Sequence, residues 1–103
     1  MIARLWRGQA AVQNAAAYQD HFTHHVRPAL SELEGHRGAW LLRRDTGGHT
    51  EFLAVTLWDS IESIRAFAGD DVETAIVEPE ARAVLAAFDS VAQHFDVVSR
   101  SGS

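Results

Sequence analysis

His94 is the residue of this sequence best suited to move a proton. It lies among apolar neighbours in a predicted strand, Val91 to Val98. Because imidazole titrates near neutrality, a partly buried histidine can act as a general base or donate a hydrogen bond to a substrate. A buried histidine satisfied by a backbone or side-chain partner would explain the same pattern, so both interpretations stand.

Three further histidines lie on a predicted long helix. His21 and His25 are four residues apart and share a face, a spacing that could hold a metal ion. No third ligand is obviously placed, although His24 is close in sequence, so a solvated polar face is favoured and no metal site is predicted. His25 lies three residues after Phe22 and seven after Tyr18, at the edge of the apolar stripe, where it could face a cavity.

The three tryptophans, Trp6, Trp40 and Trp58, all lie on predicted strands. Their rings could line the binding site of a planar aromatic ligand, or simply fill the core. Trp6 and Trp40 could equally belong to an interface with a second chain.

Arginine and tyrosine side chains could supply polar groups to such a site. Arg43 and Arg65 could neutralise an anionic substrate or a phenolate oxygen, although pairing with Glu51 or Glu62 is the commoner outcome. Tyr18 could donate a hydrogen bond into a cavity or close off the core.

Composition excludes several other classes of function. The net charge of −5 argues against nucleic-acid binding, and the absence of cysteine excludes disulfides and thiolate chemistry. There is no Gly-x-Ser-x-Gly motif for a serine hydrolase and no lysine for a phosphate-binding loop. No apolar run reaches the roughly 18 residues of a membrane span, and the first residues do not resemble a secretory signal. The cytoplasm is therefore the default location.

The segment from Glu51 to Gly69 predicts a buried strand that turns directly into a helix. Trp58 ends the strand, and Asp59 with Glu62 matches a capping box for the helix. Gly69 supplies the left-handed stop. A large aromatic residue is thereby placed at a strand–helix corner, where pockets tend to open.

Hydrophobic periodicity predicts the remaining elements. An apolar stripe predicts a helix from Val12 to Glu34, kinked or divided at Pro28. Asp45 to Gly48 predicts a hairpin turn. The other expected elements are strands at Ile2–Gly8, His36–Arg44 and Val91–Val98, and a helix from Pro79 to Phe88.

The order β-α-β-β-α-β predicts an α+β fold of the ferredoxin-like, split βαβ type with a four-stranded antiparallel sheet. We expect one domain over residues 1–98 and a flexible tail over 99–103. The sheet face away from the helices carries many apolar side chains, so it is expected to meet a second copy in a homodimer.

The sequence resembles the antibiotic biosynthesis monooxygenase family from Ile2 to about Val98. The resemblance rests on the opening MIARLWRG, on Gly35–Arg44, on Leu57–Ser60, on Ala66–Gly69 and on Val91–Phe95.

The resemblance implies a dimeric α+β barrel with a cavity between sheet and helices in each subunit. Active members include cofactor-free oxygenases of electron-rich aromatic polyketides and haem-degrading enzymes. In both branches a tryptophan at the end of the third strand is a wall or catalytic-region residue, and Trp58 matches it. The haem-degrading branch also carries a histidine ligand on the following helix, whereas this chain has no histidine between Ile61 and Arg82, which disfavours haem.

The expected function is therefore a cofactor-independent monooxygenase that combines dioxygen with a small aromatic, polyketide-like or quinol substrate. A non-catalytic small-molecule-binding or structural dimer is the alternative. The expected catalytic residues are His94, Trp58 and Arg43, and the expected substrate-binding residues are Trp6, Tyr18, Phe22, His25, Trp40 and Arg65.

Overall fold

An antiparallel sheet forms one layer of the protein. The computed structural model describes residues 1–102. Strand β1 pairs with β3 on one side and with β5 and the short β4 on the other, and β2 pairs with β3 at the far edge. This order confirms the predicted ferredoxin-like α+β fold. The strands are β1 (Ile2–Ala11), β2 (His36–Thr46), β3 (His49–Trp58), β4 (Ala87–Phe88) and β5 (Gln93–Asp96).

Helices pack against one face of the sheet. They are the 3₁₀ turn Val12–Asn14, α1 (Ala15–His21), the π-helical segment Phe22–Val26, α2 (Arg27–Ser31), α3 (Ile61–Ala68) and α4 (Pro79–Val84).

The division predicted at Pro28 takes the form of a π-helical segment just before it. Pro28 lies in the first turn of α2 and offers no backbone N–H to the carbonyls of the turn before it. The wider turn before it changes the hydrogen-bond pattern without ending the helical path.

The cap of α3 differs from the predicted one. Ser60, not Asp59, is the N-cap residue, and its Oγ accepts a hydrogen bond from the Ser63 amide at 3.3 Å. Asp59 is instead held by Arg37 through two hydrogen bonds of 2.6 Å. The predicted Asp59–Glu62 capping box is therefore wrong, because Arg37 occupies the carboxylate.

The C-terminal elements are shorter than predicted. Helix α4 ends at Val84, and Phe88 belongs to β4, since the open edge of β1 offers it backbone partners. The last strand begins only at Gln93, because Val91 pairs with Thr74 in the preceding loop. Of the predicted tail, Ser103 lies outside the described residues.

The two faces of the sheet differ in how far other elements bury them. Alternation along β1 turns Arg4 and Trp6 towards the helices, opposite Thr56 and Ala54 of β3. The outer face carries large apolar side chains that remain accessible: Trp40 is 45% exposed, Leu42 49% and Phe95 54%.

Candidate functional site

A cavity lies between the inner face of the sheet and the helices. The space open to the centre of a water-sized sphere is about 70 Å³. Residues 75–78, in the loop before α4, form one wall. The aromatic side chains that line it are Trp6, Tyr18, Phe22 and Phe67, and the polar and charged ones are Arg4, His21, Thr56 and Glu78.

The aromatic wall is fixed by contacts from three elements. Trp6 of β1 donates a hydrogen bond from Nε1 to the Asp89 carbonyl at 2.8 Å. Its ring centroid lies 6.3 Å from that of Tyr18, which packs 4.9 Å from Phe52 in the core. These contacts hold Trp6 and Tyr18 in fixed positions in the wall.

Arg4 is the arginine in the cavity wall. It is 5% exposed, and its guanidinium donates to the carbonyl oxygens of Val72 and Thr74, the latter at 3.0 Å. Its Cζ lies 5.6 Å from the ring centroid of Phe67. Burial lowers the pKa of the guanidinium, which nevertheless stays charged at neutral pH.

His94 lies behind Arg4 and does not line the cavity. Its Nε2 is 2.9 Å from Arg4 Nη1. Arginine can only donate, so Nε2 accepts and the ring proton of the neutral histidine resides on Nδ1. Burial, and then the Arg4 charge, lower the pKa of His94, while the Glu73 charge opposes that shift. The geometry suits orienting Arg4.

Tyr18 offers the cavity a hydroxyl that stays protonated. Burial, followed by the charge of Glu78, raises the pKa of this phenol. The hydroxyl can therefore serve as a neutral hydrogen-bond donor to a bound oxygen atom.

His21 is a cavity residue that the helical pattern had assigned to a polar face. It is 8% exposed, and its buried Nε2 has no hydrogen-bond partner in residues 1–102. The nearest carboxylate oxygen, Oε1 of Glu78, is 3.8 Å away. Its position three residues after Tyr18 and directly before Phe22 is the sequence signal that would have placed it at the apolar stripe.

Trp58 lies behind the cavity wall. It is fully buried, with its ring centroid 6.0 Å from Phe67 and 5.1 Å from His36. Its Nε1 donates at 2.9 Å to Oγ1 of Thr56, which does line the cavity. The tryptophan thus fixes the orientation of a wall residue.

Four other predicted site residues lie away from the cavity. Arg43 and Arg65 are partly exposed and pair with carboxylates on their own elements. His25 is exposed and stacks on His21 with ring centroids 5.5 Å apart, while Trp40 lies on the outer sheet face. The cavity therefore gathers Trp6, Tyr18 and Phe22 from the predicted set, and Arg4 and His21 from outside it.

Two kinds of feature are absent from residues 1–102. No cluster of three or more histidine, aspartate or glutamate side chains is arranged to hold a metal ion. No helix in that range has the length and hydrophobicity needed to cross a membrane.

The family model for antibiotic biosynthesis monooxygenase matches residues 1–79, which include most of the cavity wall. The chain belongs to the antibiotic biosynthesis monooxygenase family. No curated protein matches it.

Solved structures of low sequence identity share the whole fold. A proposed family member from Bacillus cereus superposes with a TM-score of 0.69 at 14% identity, covering 99% of this chain and 97% of that one. Another, from Deinococcus radiodurans, superposes with a TM-score of 0.69 at 12% identity, covering 100% of this chain and 98% of that one. The haem degrader MhuD of Mycobacterium tuberculosis, with two haems bound, gives 0.65 at 22% identity, with 99% and 100% covered. At these identities the similarity establishes the fold.

Proposed function

We propose that this protein is a monooxygenase that uses dioxygen to oxidise a small phenolic or quinol-like aromatic substrate without a cofactor. The observation that carries the proposal is the aromatic cavity, in a fold of this family, with a buried cation in its wall. Trp6, Phe22 and Phe67 surround space for a flat ring, and Arg4 lies beside it. An electron-rich ring beside a fixed positive charge is the arrangement that stabilises a phenolate.

The reaction balances with dioxygen alone. A phenol carries a hydroxyl proton and a hydrogen on the ring carbon opposite it. One oxygen atom is added at that carbon to give a quinone, and both hydrogens leave with the second oxygen atom as water. The ring is oxidised by four electrons, which reduce dioxygen fully.

The chain's own residues supply proton handling and orientation for this reaction. The phenol must first lose its proton, because the anion is the form that reduces dioxygen. His21 Nε2 is buried, unpartnered and free to accept that proton. Tyr18 donates a hydrogen bond to the substrate oxygen, and His94 acts through Arg4 as a positioning residue.

Trp58 supports the wall in this proposal. Its hydrogen bond to Thr56 fixes the hydroxyl of a residue that lines the cavity. Arg43, Arg65 and His25 have no part in the reaction, because they lie outside the cavity.

Haem is not assigned to this site, because helix α3 carries no histidine to ligate iron. No step of the proposed reaction is therefore assigned to haem.

The test is oxygen uptake with a panel of naphthols, hydroquinones and anthrones, followed by mass spectrometry under ¹⁸O₂. We expect one labelled oxygen atom in the product and loss of most turnover in His21→Gln. His49→Gln, at the exposed hairpin, is the matched control. If no phenol in the panel accelerates oxygen uptake above the protein-free rate, the proposal fails.

A binding function without turnover is the second candidate, and one observation favours it. His94 and Trp58, which the family resemblance and residue types single out, both lie behind the cavity wall rather than at its surface. Saturable binding of phenols with no labelled product would support this alternative.

We also propose that a second copy covers the outer face of the sheet. Trp40, Leu42 and Phe95 expose apolar surface there, as a homodimer interface requires.

A further inference from the structure

The positive charge of Arg4 is buried without a carboxylate beside it. Within residues 1–102 it takes part in no ion pair, whereas Arg37, Arg43, Arg44 and Arg65 each have one. Removing a charge from water is unfavourable unless hydrogen bonds and an opposite charge replace the lost hydration. Residues 1–102 supply hydrogen-bond acceptors to Arg4 but not the opposite charge.

Two guanidinium donors of Arg4 remain free. A guanidinium has five N–H groups. Nη1 uses two, on the Val72 carbonyl and His94 Nε2, and Nη2 uses one, on the Thr74 carbonyl. Subtracting these three from five leaves the Nε hydrogen and one Nη2 hydrogen without an acceptor in the described chain.

Those two nitrogens are the pair that binds carboxylates side-on. Arg37 of this protein shows the arrangement: its Nε and Nη2 each lie 2.6 Å from an oxygen of Asp59. Such bidentate pairing is the geometry in which arginine recognises a carboxylate best. Arg4 is among the residues that line the cavity.

We propose that Arg4 binds the carboxylate of a small aromatic acid whose ring lies against Trp6, Phe22 and Phe67. Resting on the proposed function, this inference makes the substrate a hydroxyaryl carboxylate. The carboxylate anchors the molecule, and the phenol group at another position of the ring is the one that reacts.

Nearby carboxylates limit the charge of that ligand. Glu78 lines the cavity beside His21, and Glu73 is close enough to raise the pKa of His94. A second carboxylate on the ligand would meet these groups without a further cation in the cavity lining to balance it, whereas a phenolate made by proton transfer to His21 faces the imidazolium formed there. The site therefore selects a ligand with one carboxylate over a dicarboxylate.

The test is calorimetric titration of the wild-type protein, under nitrogen, with 4-hydroxybenzoate and with 4-hydroxybenzamide. The two ligands have nearly the same shape and differ in charge. We expect the acid to bind roughly 30-fold or more tightly, the size of effect seen for a buried charge pair. Equal affinities of the two ligands in the wild-type protein would overturn the inference without the use of any variant.

Two variants show whether Arg4 causes the preference for the acid. The preference for the acid should disappear in Arg4→Gln and persist in Arg7→Gln, whose exposed side chain lies on the opposite face of the same strand. A preference that survives in folded Arg4→Gln would also overturn the inference. Because turnover plays no part in this measurement, an acid that binds selectively but is never oxidised removes only the monooxygenase proposal.

Discussion

At the scale of single residues, the site depends on what two imidazole nitrogens touch. Nε2 of His94 accepts a hydrogen bond from Arg4, whereas Nε2 of His21 is buried and has no hydrogen-bond partner among residues 1–102. The first atom is committed to holding the arginine, and the second is available to a ligand. These two histidines should therefore respond differently to substitution.

The protein should become less stable as the pH falls, in part because of His94. Burial and the Arg4 charge hold its folded-state pKa below the ordinary value of 6.5, with Glu73 opposing. Above 6.5 its contribution is fully present; as pH falls below that value the unfolded chain takes up the proton first, so stability declines. His36, whose pKa burial also lowers, adds a contribution of the same sign.

Urea denaturation between pH 7.5 and pH 5 measures this effect. His94→Gln keeps an acceptor for Arg4 but cannot titrate, so we expect a smaller loss of unfolding free energy than in wild type. His49→Gln should change the slope little. An unchanged slope in His94→Gln would show that the histidine is not desolvated as described.

Replacing His21 should stabilise the protein. A buried polar atom without a partner is unfavourable, so His21→Leu is expected to raise the free energy of unfolding by about 1 kcal/mol. The exposed neighbour gives the control, since His25→Leu should stay within about 0.5 kcal/mol of wild type. A marked destabilisation by His21→Leu, measured by urea denaturation, would mean that Nε2 has a partner in solution.

At the scale of elements, the sequence pattern predicted those features that residues close together in the chain determine. The β2–β3 hairpin was predicted from its turn residues, and Gly47 and Gly48 adopt the positive φ values of 50° and 93° that a two-residue turn requires. Strand β4 was missed because its partners lie in β1, about 80 residues earlier in the chain. An apolar stripe extended the helix pattern to Phe88, and only the open edge of β1 shows that the chain must leave the helix.

The site residues likewise divide into those that the local pattern indicates and those that depend on distant partners. Alternation placed Arg4 on the same face as Trp6, but an arginine near the start of a strand gives no local sign of burial. Its acceptors, the carbonyls of Val72 and Thr74, are 68 and 70 residues away. The predicted set therefore includes Trp6, Tyr18 and Phe22 of the aromatic wall, but neither Phe67 nor the charge of Arg4.

The cap of α3 can be tested by two single substitutions. Ser60→Ala removes the hydroxyl that accepts from the Ser63 amide and should lower the unfolding free energy by about 1 kcal/mol. Asp59→Ala removes only an exposed ion pair with Arg37, so we expect a smaller loss than in Ser60→Ala. Thermal denaturation of both variants checks the order; a larger loss in Asp59→Ala would return the capping role to the aspartate.

At the scale of the whole molecule, the sheet separates two functions. Its inner face, with Trp6 and Arg4, forms the cavity, and its outer face presents Trp40 and Leu42 to a second copy in the proposed dimer. A substitution on the outer face should therefore alter dimer association without changing ligand binding in the cavity.

Sedimentation velocity tests the interface. Leu42→Glu places a charge within the apolar outer face, and we expect the dissociation constant of the dimer to rise about 30-fold or more. Ala17→Glu, on the exposed side of α1, should leave it unchanged. A wild-type protein that sediments as a monomer at high concentration contradicts the proposed dimer.

The three tryptophans lie in three different environments, so their intrinsic fluorescence can report on three different events. Trp6 lies at the cavity, Trp58 is fully buried against His36 and Phe67, and Trp40 is 45% exposed on the outer face. Their emission should separate accordingly: Trp40 furthest to the red and shifting blue when a second copy covers it, Trp6 quenched by a ring in the cavity, and Trp58 changing only on unfolding. Proteins that keep a single tryptophan would let ligand binding, folding and assembly be followed separately in one cuvette.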